Sequence, residues 1–97
     1  MTAKELHEMR DISFTVHLFK EGDVYVAYVP ELDVSSCGDT PEQARKNIQD
    51  AVRVFLETSE EMGTLKDILE ESGYRLEDDK WRAPEFVSLD HLTLSLK

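Results

Sequence analysis

Residues 38–44 read Gly-Asp-Thr-Pro-Glu-Gln-Ala, and this stretch predicts where the main helix begins. Thr40 suits the N-cap, and Pro41 suits the first helical position because the N–H that proline lacks is not needed there. Gln43 stands three residues after the cap, as in a capping box. We interpret four residues as a structural helix-entry motif: Gly38, Asp39, Thr40 and Pro41.

Apolar residues recur behind this start with the spacing of one helical face. They are Ala44, Ile48, Ala51, Val52 and Phe55. Charged and amide side chains occupy the opposite face, so the pattern predicts an amphipathic helix over residues 40–58. Such a helix needs an apolar surface to cover. The pattern therefore predicts a sheet with this helix packed across one face.

Two runs of alternating residues precede the helix and predict that sheet. Residues 12–19 alternate as a strand with one face on a core, and residues 24–29 alternate as its antiparallel partner. Gly22 lies in the turn between them, as in a β-hairpin, and Pro30 ends the second strand. The second strand is apolar on both faces, which favours a place inside the sheet. Residues 31–36 predict a short third strand nearer an edge.

The rest of the chain predicts one more helix and one more strand. Thr64 and Asp67 repeat the capping pattern for a shorter helix over 64–72, which Gly73 ends. Residues 77–85 are expected to form a charged connection that contains one Trp, and residues 86–97 a C-terminal strand. Its apolar phase shifts near Asp90 and His91, which indicates a bulge or a bend. This strand is expected to add to an edge of its own sheet or of another subunit's sheet.

The predicted fold class is thus α+β, in the order β-β-β-α-α-β, with a mainly antiparallel sheet. The 97 residues are expected to form a single domain over 1–97, of which residues 1–10 form either a loose helical turn or a frayed terminus. Strands 12–19 and 86–96 would leave apolar edges uncovered in a monomer, so a homo-oligomer, dimer or tetramer, is expected.

Composition narrows the class of function. The formal net charge of −10 argues against direct nucleic-acid binding through phosphates and favours a basic partner, although the same charge also serves solubility alone. A single cysteine and the absence of a signal pattern predict a cytoplasmic protein. No apolar run approaches the roughly 20 residues that span a bilayer, so no membrane partner is expected.

The densest charge lies between residues 57 and 79, which carry nine acidic and two basic residues. Two interpretations stay open for it: a solvated face, or a docking surface for a basic protein. Trp81 is open in the same way, because it either packs against the sheet or anchors a partner. The candidate partner-binding residues are Glu60, Glu61, Glu70, Glu71, Tyr74 and Trp81.

Three stretches resemble one known family. Residues 26–32 read Val-Ala-Tyr-Val-Pro-Glu-Leu, residues 36–44 read Ser-Cys-Gly-Asp-Thr-Pro-Glu-Gln-Ala, and residues 47–52 contain Asn-Ile and Ala-Val pairs. These are similar to the HicB-like antitoxins, in which a strand ends in Pro-acidic-Leu and a short strand leads through Gly-Asp-Thr into an amphipathic helix. The resemblance extends over residues 12–55, and the Gly-Asp-Thr helix entry is its most specific part.

The resemblance implies a partial ribonuclease-H-like fold and a function in binding. HicB-like antitoxins neutralise a small basic messenger-RNA-cleaving toxin, HicA, by covering its active surface, and they carry no catalytic residues, cofactor or metal of their own. The chain departs from the family pattern at Asp33-Val34, where a Gly-Cys pair is common, and at residues 77–79 with Trp81. It also shows a strand-like tail where many members carry a DNA-binding domain, which leaves autoregulation of the operon open.

Two alternatives from other classes remain. One is an orphan self-associating module without a toxin partner. The other is a metal-dependent nuclease, because three carboxylates cluster near strand ends in a fold of the ribonuclease-H type: Glu31, Asp33 and Asp39. Structural roles for these carboxylates are the simpler interpretation, since no basic residues that would bind phosphate accompany them. The histidines at 7, 17 and 91 show no metal-ligand spacing.

Overall fold

The computed structural model describes residues 12–97 and confirms an α+β architecture with an antiparallel three-stranded sheet and two helices. The expectation for residues 1–10 lies outside the described residues. The helices and strands, in chain order, are β1 (His17–Glu21), β2 (Val24–Val29), β3 (Val34–Gly38), α1 (Pro41–Glu61), α2 (Leu65–Glu71), β4 (Arg75–Glu77) and β5 (Lys80–Arg82).

The main sheet has the order β1-β2-β3, so the doubly apolar strand β2 is central, as predicted. Both pairings are antiparallel, with Ala27 opposite Leu18 on one side and Ser36 on the other. A two-residue turn joins β1 to β2. Its first residue, Gly22, has φ 58, a left-handed conformation that glycine adopts at little cost.

The predicted first strand is shifted along the chain. It was expected over 12–19, but the ladder begins at His17 and runs to Glu21. The reason is Pro30, which ends β2, so that in the register of the hairpin residues 13–15 have no partner strand. The Glu31 carboxylate replaces the missing strand partner at Thr15, whose backbone N–H donates to Oε2 at 2.9 Å and to Oε1 at 3.1 Å. Ile12 pairs instead with Trp81 in an isolated parallel bridge.

Helix α1 packs its predicted stripe on the sheet. Ala44, Ile48 and Val52 are buried, whereas Ala51 and Phe55 are half-buried at the margin. The helix lies mainly over β3 and β2, with little contact to β1. The fully enclosed part of the core combines the sheet, both helices and the second hairpin: Ala27, Val29, Leu32, Ala44, Ile48, Val52, Leu65, Leu69, Tyr74 and Trp81.

The helix entry forms largely as predicted. The Thr40 hydroxyl accepts the backbone N–H of Gln43 at 3.0 Å. The second hydrogen bond of a capping box, from the N-cap backbone N–H back to the Gln43 side chain, was expected but is wrong. The Gln43 amide donates to Asn47 Oδ1 at 2.8 Å instead. Asn47 in turn donates to the carbonyl of Cys37 at 2.7 Å. This relay ties the first two turns of α1 to the end of β3.

Thr40→Ala is expected to lower the free energy of unfolding by about 1 kcal/mol, since it leaves the Gln43 N–H without its acceptor. Urea unfolding followed by circular dichroism would measure the change. Thr93→Ala is the matched control, because Thr93 is exposed and lies outside every helix and strand. Equal midpoints for the two variants would contradict a role for the cap.

Helix α1 extends to Glu61, three residues beyond the predicted end at Thr58. Ser59 is buried and its hydroxyl donates to the Phe55 carbonyl at 2.7 Å. Gly63, with φ 73, then ends the helix, and the N–H of Thr64 donates to the Ser59 carbonyl at 2.9 Å in a Schellman arrangement. The prediction that the Thr64 side chain caps α2 is wrong. Its hydroxyl donates to the Ser59 carbonyl at 3.3 Å instead.

Two predictions for the C-terminal third are corrected. The expected charged connection over 77–85 contains half of a β-hairpin, in which β4 and β5 pair around the turn Asp78-Asp79. Both turn residues have positive φ, 51 and 62, as a type I′ turn requires. The expected strand over 86–97 does not form within this chain, where residues 83–97 have no regular secondary structure. None of the helices within residues 12–97 is long and apolar enough to cross a bilayer.

Candidate functional site

Acidic side chains are concentrated in the part of the chain that runs from the end of α1 to the β4–β5 hairpin, which we call the acidic end. It comprises the last turns of α1, the outer side of α2 and the β4–β5 hairpin. All of its residues are exposed except Glu60, which is half-buried. They are Glu57, Glu60, Glu61, Asp67, Glu70, Glu71, Glu77, Asp78 and Asp79.

The periodicity of the helix and of the hairpin strands directs these carboxylates to solvent. In α2, Leu65 and Leu69 are buried one turn apart, so the intervening charged residues face solvent. The turn at Gly63 brings α2 back against α1. In the hairpin, Trp81 is buried while its neighbours Lys80 and Arg82 are exposed. Folding therefore keeps the acidic side chains on the surface and sends the apolar ones inward.

Few of these charges are neutralised within the described part of the chain. Lys66 reaches Glu70 at 4.0 Å, and Arg75 and Arg82 reach Glu77 at 3.9 and 3.7 Å. Each side chain in these pairs is at least half exposed, and exposed pairs contribute little free energy. No basic residue stands in the last turn of either helix, although the helix macrodipole favours one there. The acidic end thus carries charge that the fold does not need.

The six residues predicted to bind a partner divide into two groups. Glu60, Glu61, Glu70 and Glu71 lie at the acidic end and remain candidates. Tyr74 and Trp81 do not, because each is only 2% exposed and belongs to the core. For Trp81 the packing interpretation therefore holds. Sequence spacing alone did not show this, since the hairpin that buries Trp81 was interpreted as a loop.

Tyr74 is also fixed by hydrogen bonding. Its hydroxyl donates to the Ser13 carbonyl at 2.5 Å, which holds the segment before β1 against the C-terminal hairpin. Burial, with a smaller contribution from the nearby Glu31 carboxylate, raises the pKa of Tyr74 from 10.0 to about 12. The neutral phenol is therefore the form that the folded state stabilises.

This shift predicts a loss of stability in alkali. A raised folded-state pKa adds stability that is fully present below pH 10 and is lost as pH rises through about 12. Tyr74→Phe has no phenol to ionise, so its free energy of unfolding is expected to fall less steeply over that window. Urea unfolding at a series of pH values from 9 upward would compare the two. Parallel pH curves would contradict the assignment.

The three carboxylates that suggested a nuclease do not form one cluster. Glu31 accepts from Thr15, and Asp33 accepts the Tyr28 hydroxyl at 3.0 Å, which raises the pKa of Tyr28. Asp39 precedes the N-cap of α1, where a carboxylate suits the helix dipole. Within residues 12–97, no three His, Cys, Asp or Glu side chains lie close enough to hold a metal ion.

The far face of the sheet is a feature that the sequence interpretation missed. Helix α1 covers one face, and the residues that alternate with the buried ones point to the other: Phe19, Val24, Val26 and Tyr28. Phe19 and Val24 are exposed, and His17 packs edge-on to Tyr28 with ring centroids 6.3 Å apart. The signal was the doubly apolar pattern of β2, which indicated a central strand but also one uncovered apolar face.

The fold and the acidic end define a small α+β protein with one strongly acidic, largely unpaired surface. No protein-family model, curated protein or solved structure matches the chain.

Proposed function

We propose that this chain is an antitoxin-like binding protein. It neutralises a small basic messenger-RNA-cleaving toxin of the HicA type by covering the toxin's active surface, and it catalyses no reaction. The proposal rests on the resemblance of residues 12–55 to HicB-like antitoxins, and the observation that carries it is the acidic end. An RNA-cleaving protein must present positive charge to phosphates, so a dense acidic surface is its electrostatic complement.

The position of the charge supports a binding role over a purely solubilising one. Glu57, Glu60 and Glu61 stand at the C-terminal end of α1, where carboxylates oppose the macrodipole. Each costs the helix up to about 1 kcal/mol, whereas solubility is served equally by carboxylates elsewhere on the surface. A partner that brings positive charge to this end removes the penalty on binding.

The contact surface in this proposal differs from the one expected from the sequence. Its carboxylates include Glu61, Glu70 and Glu71, together with the exposed hairpin turn at Asp78-Asp79. Tyr74 and Trp81 are buried in the core and do not contact the partner. The partner's basic residues therefore meet exposed carboxylates on short, well-packed elements.

A second candidate function is an orphan self-associating module, which acts without a toxin. The C-terminal tail favours it, because the tail exposes a series of large apolar residues in a single copy of the chain. Self-association and toxin binding use different parts of the molecule. A homo-oligomer that also binds a toxin satisfies both.

Charge reversal at the acidic end provides the test. The tagged protein is used to capture proteins from a lysate of its source cells at low salt. A captured small basic protein is then purified alone and assayed for messenger-RNA cleavage with and without this chain. The triple variant Glu61→Lys, Glu70→Lys and Glu71→Lys is expected to bind it about 10- to 100-fold more weakly, because each lost charge contact is worth roughly 0.5–1 kcal/mol.

The matched control carries Glu21→Lys, Asp23→Lys and Asp90→Lys, which change the net charge equally at exposed sites outside the acidic end. Reversal at the helix ends does not threaten folding, since Lys suits the macrodipole there. Equal weakening by both triples would show that only net charge matters. Recovery of this chain alone, at a fixed multiple of 11.2 kDa, would favour the orphan module.

A further inference from the structure

The C-terminal tail is apolar, yet it contributes no buried side chain to its own chain. Residues 84–97 are all exposed, and the last hydrophobic residue that touches the core is Ala83. Leu92, Leu94 and Leu96 are 84%, 85% and 92% exposed. Leu residues that alternate with Thr93 and Ser95 have the pattern of a strand with one face in a core and one in water.

We propose that residues 92–96 of one copy add as a strand to the outer edge of β3 in a second copy, and that two copies exchange these tails reciprocally. The donor is a five-residue strand and the acceptor, Val34–Gly38, has the same length. This inference does not depend on the antitoxin proposal, because it involves neither the acidic end nor a basic partner.

The edge of β3 is open apart from the Cys37 carbonyl, which accepts the Asn47 amide at 2.7 Å. In the order β1-β2-β3, the outer side of β3 pairs with no other strand among the described residues. Its residues read Val-Ser-Ser-Cys-Gly, with no charge and no proline, which are the usual means of blocking an edge. The opposite edge strand, β1, carries Lys20 and Glu21, and the segment before it is already bridged to Trp81. The acceptor is therefore β3.

Helix α1 presents apolar side chains on the flank that lies beside that edge. Asn47 marks the flank of α1 that lies at β3, because its amide donates to the Cys37 carbonyl at 2.7 Å. Ala51 and Val54 follow on this flank at helical spacing. A two-residue link joins β3 to α1, and α1 then runs back along the strand. The seven residues from Asn47 to Val54 and the three residues from Cys37 back to Val34 both cover about 10 Å, so we infer that Val54 lies near Val34.

Val54 is 60% exposed although it belongs to the flank beside β3. A strand added to this edge would place alternate side chains beneath α1, against Ala51 and Val54. Leu92, Leu94 and Leu96 supply three such side chains in succession. The other face of the added strand would carry Thr93 and Ser95 and continue the face on which Ser35 and Cys37 are exposed.

The tail does not pair with β3 of its own chain in this structure. It leaves from β5, which lies beside the segment before β1, and Pro84 is held next to Gly73, where an added Cβ would come within 3.0 Å of it. Residues 84–97 are all exposed, and the outer side of β3 pairs with no other strand among the described residues. A second copy offers the same edge, and reciprocal exchange closes the assembly with two-fold symmetry.

Sedimentation of the full chain over a range of concentrations tests the association. The expected species is a closed oligomer built from dimers of the 11.2 kDa chain. Leu92→Lys with Leu94→Lys is expected to raise the dissociation constant about 100-fold or more, since two buried leucines are lost. The matched control, Thr93→Lys with Ser95→Lys, adds the same charge to the solvent side and is expected to change it less than about 10-fold.

Cross-linking to Cys37, the chain's single cysteine, tests the acceptor. Ser95→Cys or Thr93→Cys is expected to form a disulfide with Cys37 of another copy, whereas Leu94→Cys, on the opposite side of the added strand, is not. Mixing isotopically labelled and unlabelled chains separates disulfides between copies from those within one chain. A monomer at all concentrations, a disulfide confined to one chain, or equal effects of the two Lys pairs would overturn the proposal.

Discussion

Gly38→Ala is expected to lower the free energy of unfolding by roughly 3 kcal/mol, the upper end of the usual cost of overpacking. A Cβ at this position would lie 2.7 Å from the backbone nitrogen of Ala44 and 2.9 Å from the carbonyl carbon of Gln43. Both atoms belong to the first turn of α1, so no side chain can move aside. The strand or the helix would have to shift instead.

Urea unfolding is the direct measurement for Gly38→Ala. Cys37→Ala is the matched control, because Cys37 is the preceding strand residue and its side chain is exposed. The control is expected to change the free energy of unfolding by less than about 0.5 kcal/mol. A similarly small effect of Gly38→Ala would show that α1 and β3 can separate without cost, and would contradict the close approach seen here.

Trp81→Ala is expected to cost about 3–5 kcal/mol, because it empties the largest fully buried side-chain site in the described residues. The loss would fall on the contact between the β4–β5 hairpin and the segment before β1, where Trp81 pairs with Ile12. Trp81→Phe retains most of the ring and is expected to cost clearly less.

Thermal melts and hydrogen exchange together test the Trp81 prediction. In Trp81→Ala, amide protons of β4 and β5 are expected to lose more protection than those of β2, since the hairpin depends on this residue for its attachment. Leu76→Ala is a suitable control, because Leu76 lies opposite Trp81 in the hairpin but is exposed. Equal melting temperatures for Trp81→Ala and Leu76→Ala would contradict a core role.

The elements with strong local periodicity were predicted well. The Thr40-Pro41 entry and the stripe through Ala44, Ile48 and Val52 placed α1 correctly, because capping and amphipathicity act within a few residues. The β1–β2 hairpin was found from its alternation and the glycine in its turn. The β4–β5 hairpin was missed because its strands are three residues each and its turn uses two aspartates in place of Asn-Gly.

The exposure of the candidate carboxylates was predicted for the same reason. Glu61, Glu70 and Glu71 lie at the surface as expected, because charge density can be read along the chain and charged residues stay at the surface; their role in binding stays a prediction. The burial of Tyr74 and Trp81 was not decided by the sequence, because it depends on Ser13 and Ile12, more than sixty residues earlier in the chain. The uncovered sheet face was missed because periodicity identifies apolar faces but not what covers each one.

The helix entry, the first hairpin, the order of the main elements and the acidic character of one segment follow from interactions between near neighbours, so they can be read from the amino-acid order. Tertiary structure decided that Glu31 serves the backbone of Thr15, that Trp81 is core, and that β3 and the tail remain unpaired within one chain. These outcomes depend on which distant segments meet. The physical reason is that burial and pairing are properties of a pair of surfaces, and a linear pattern describes only one of them.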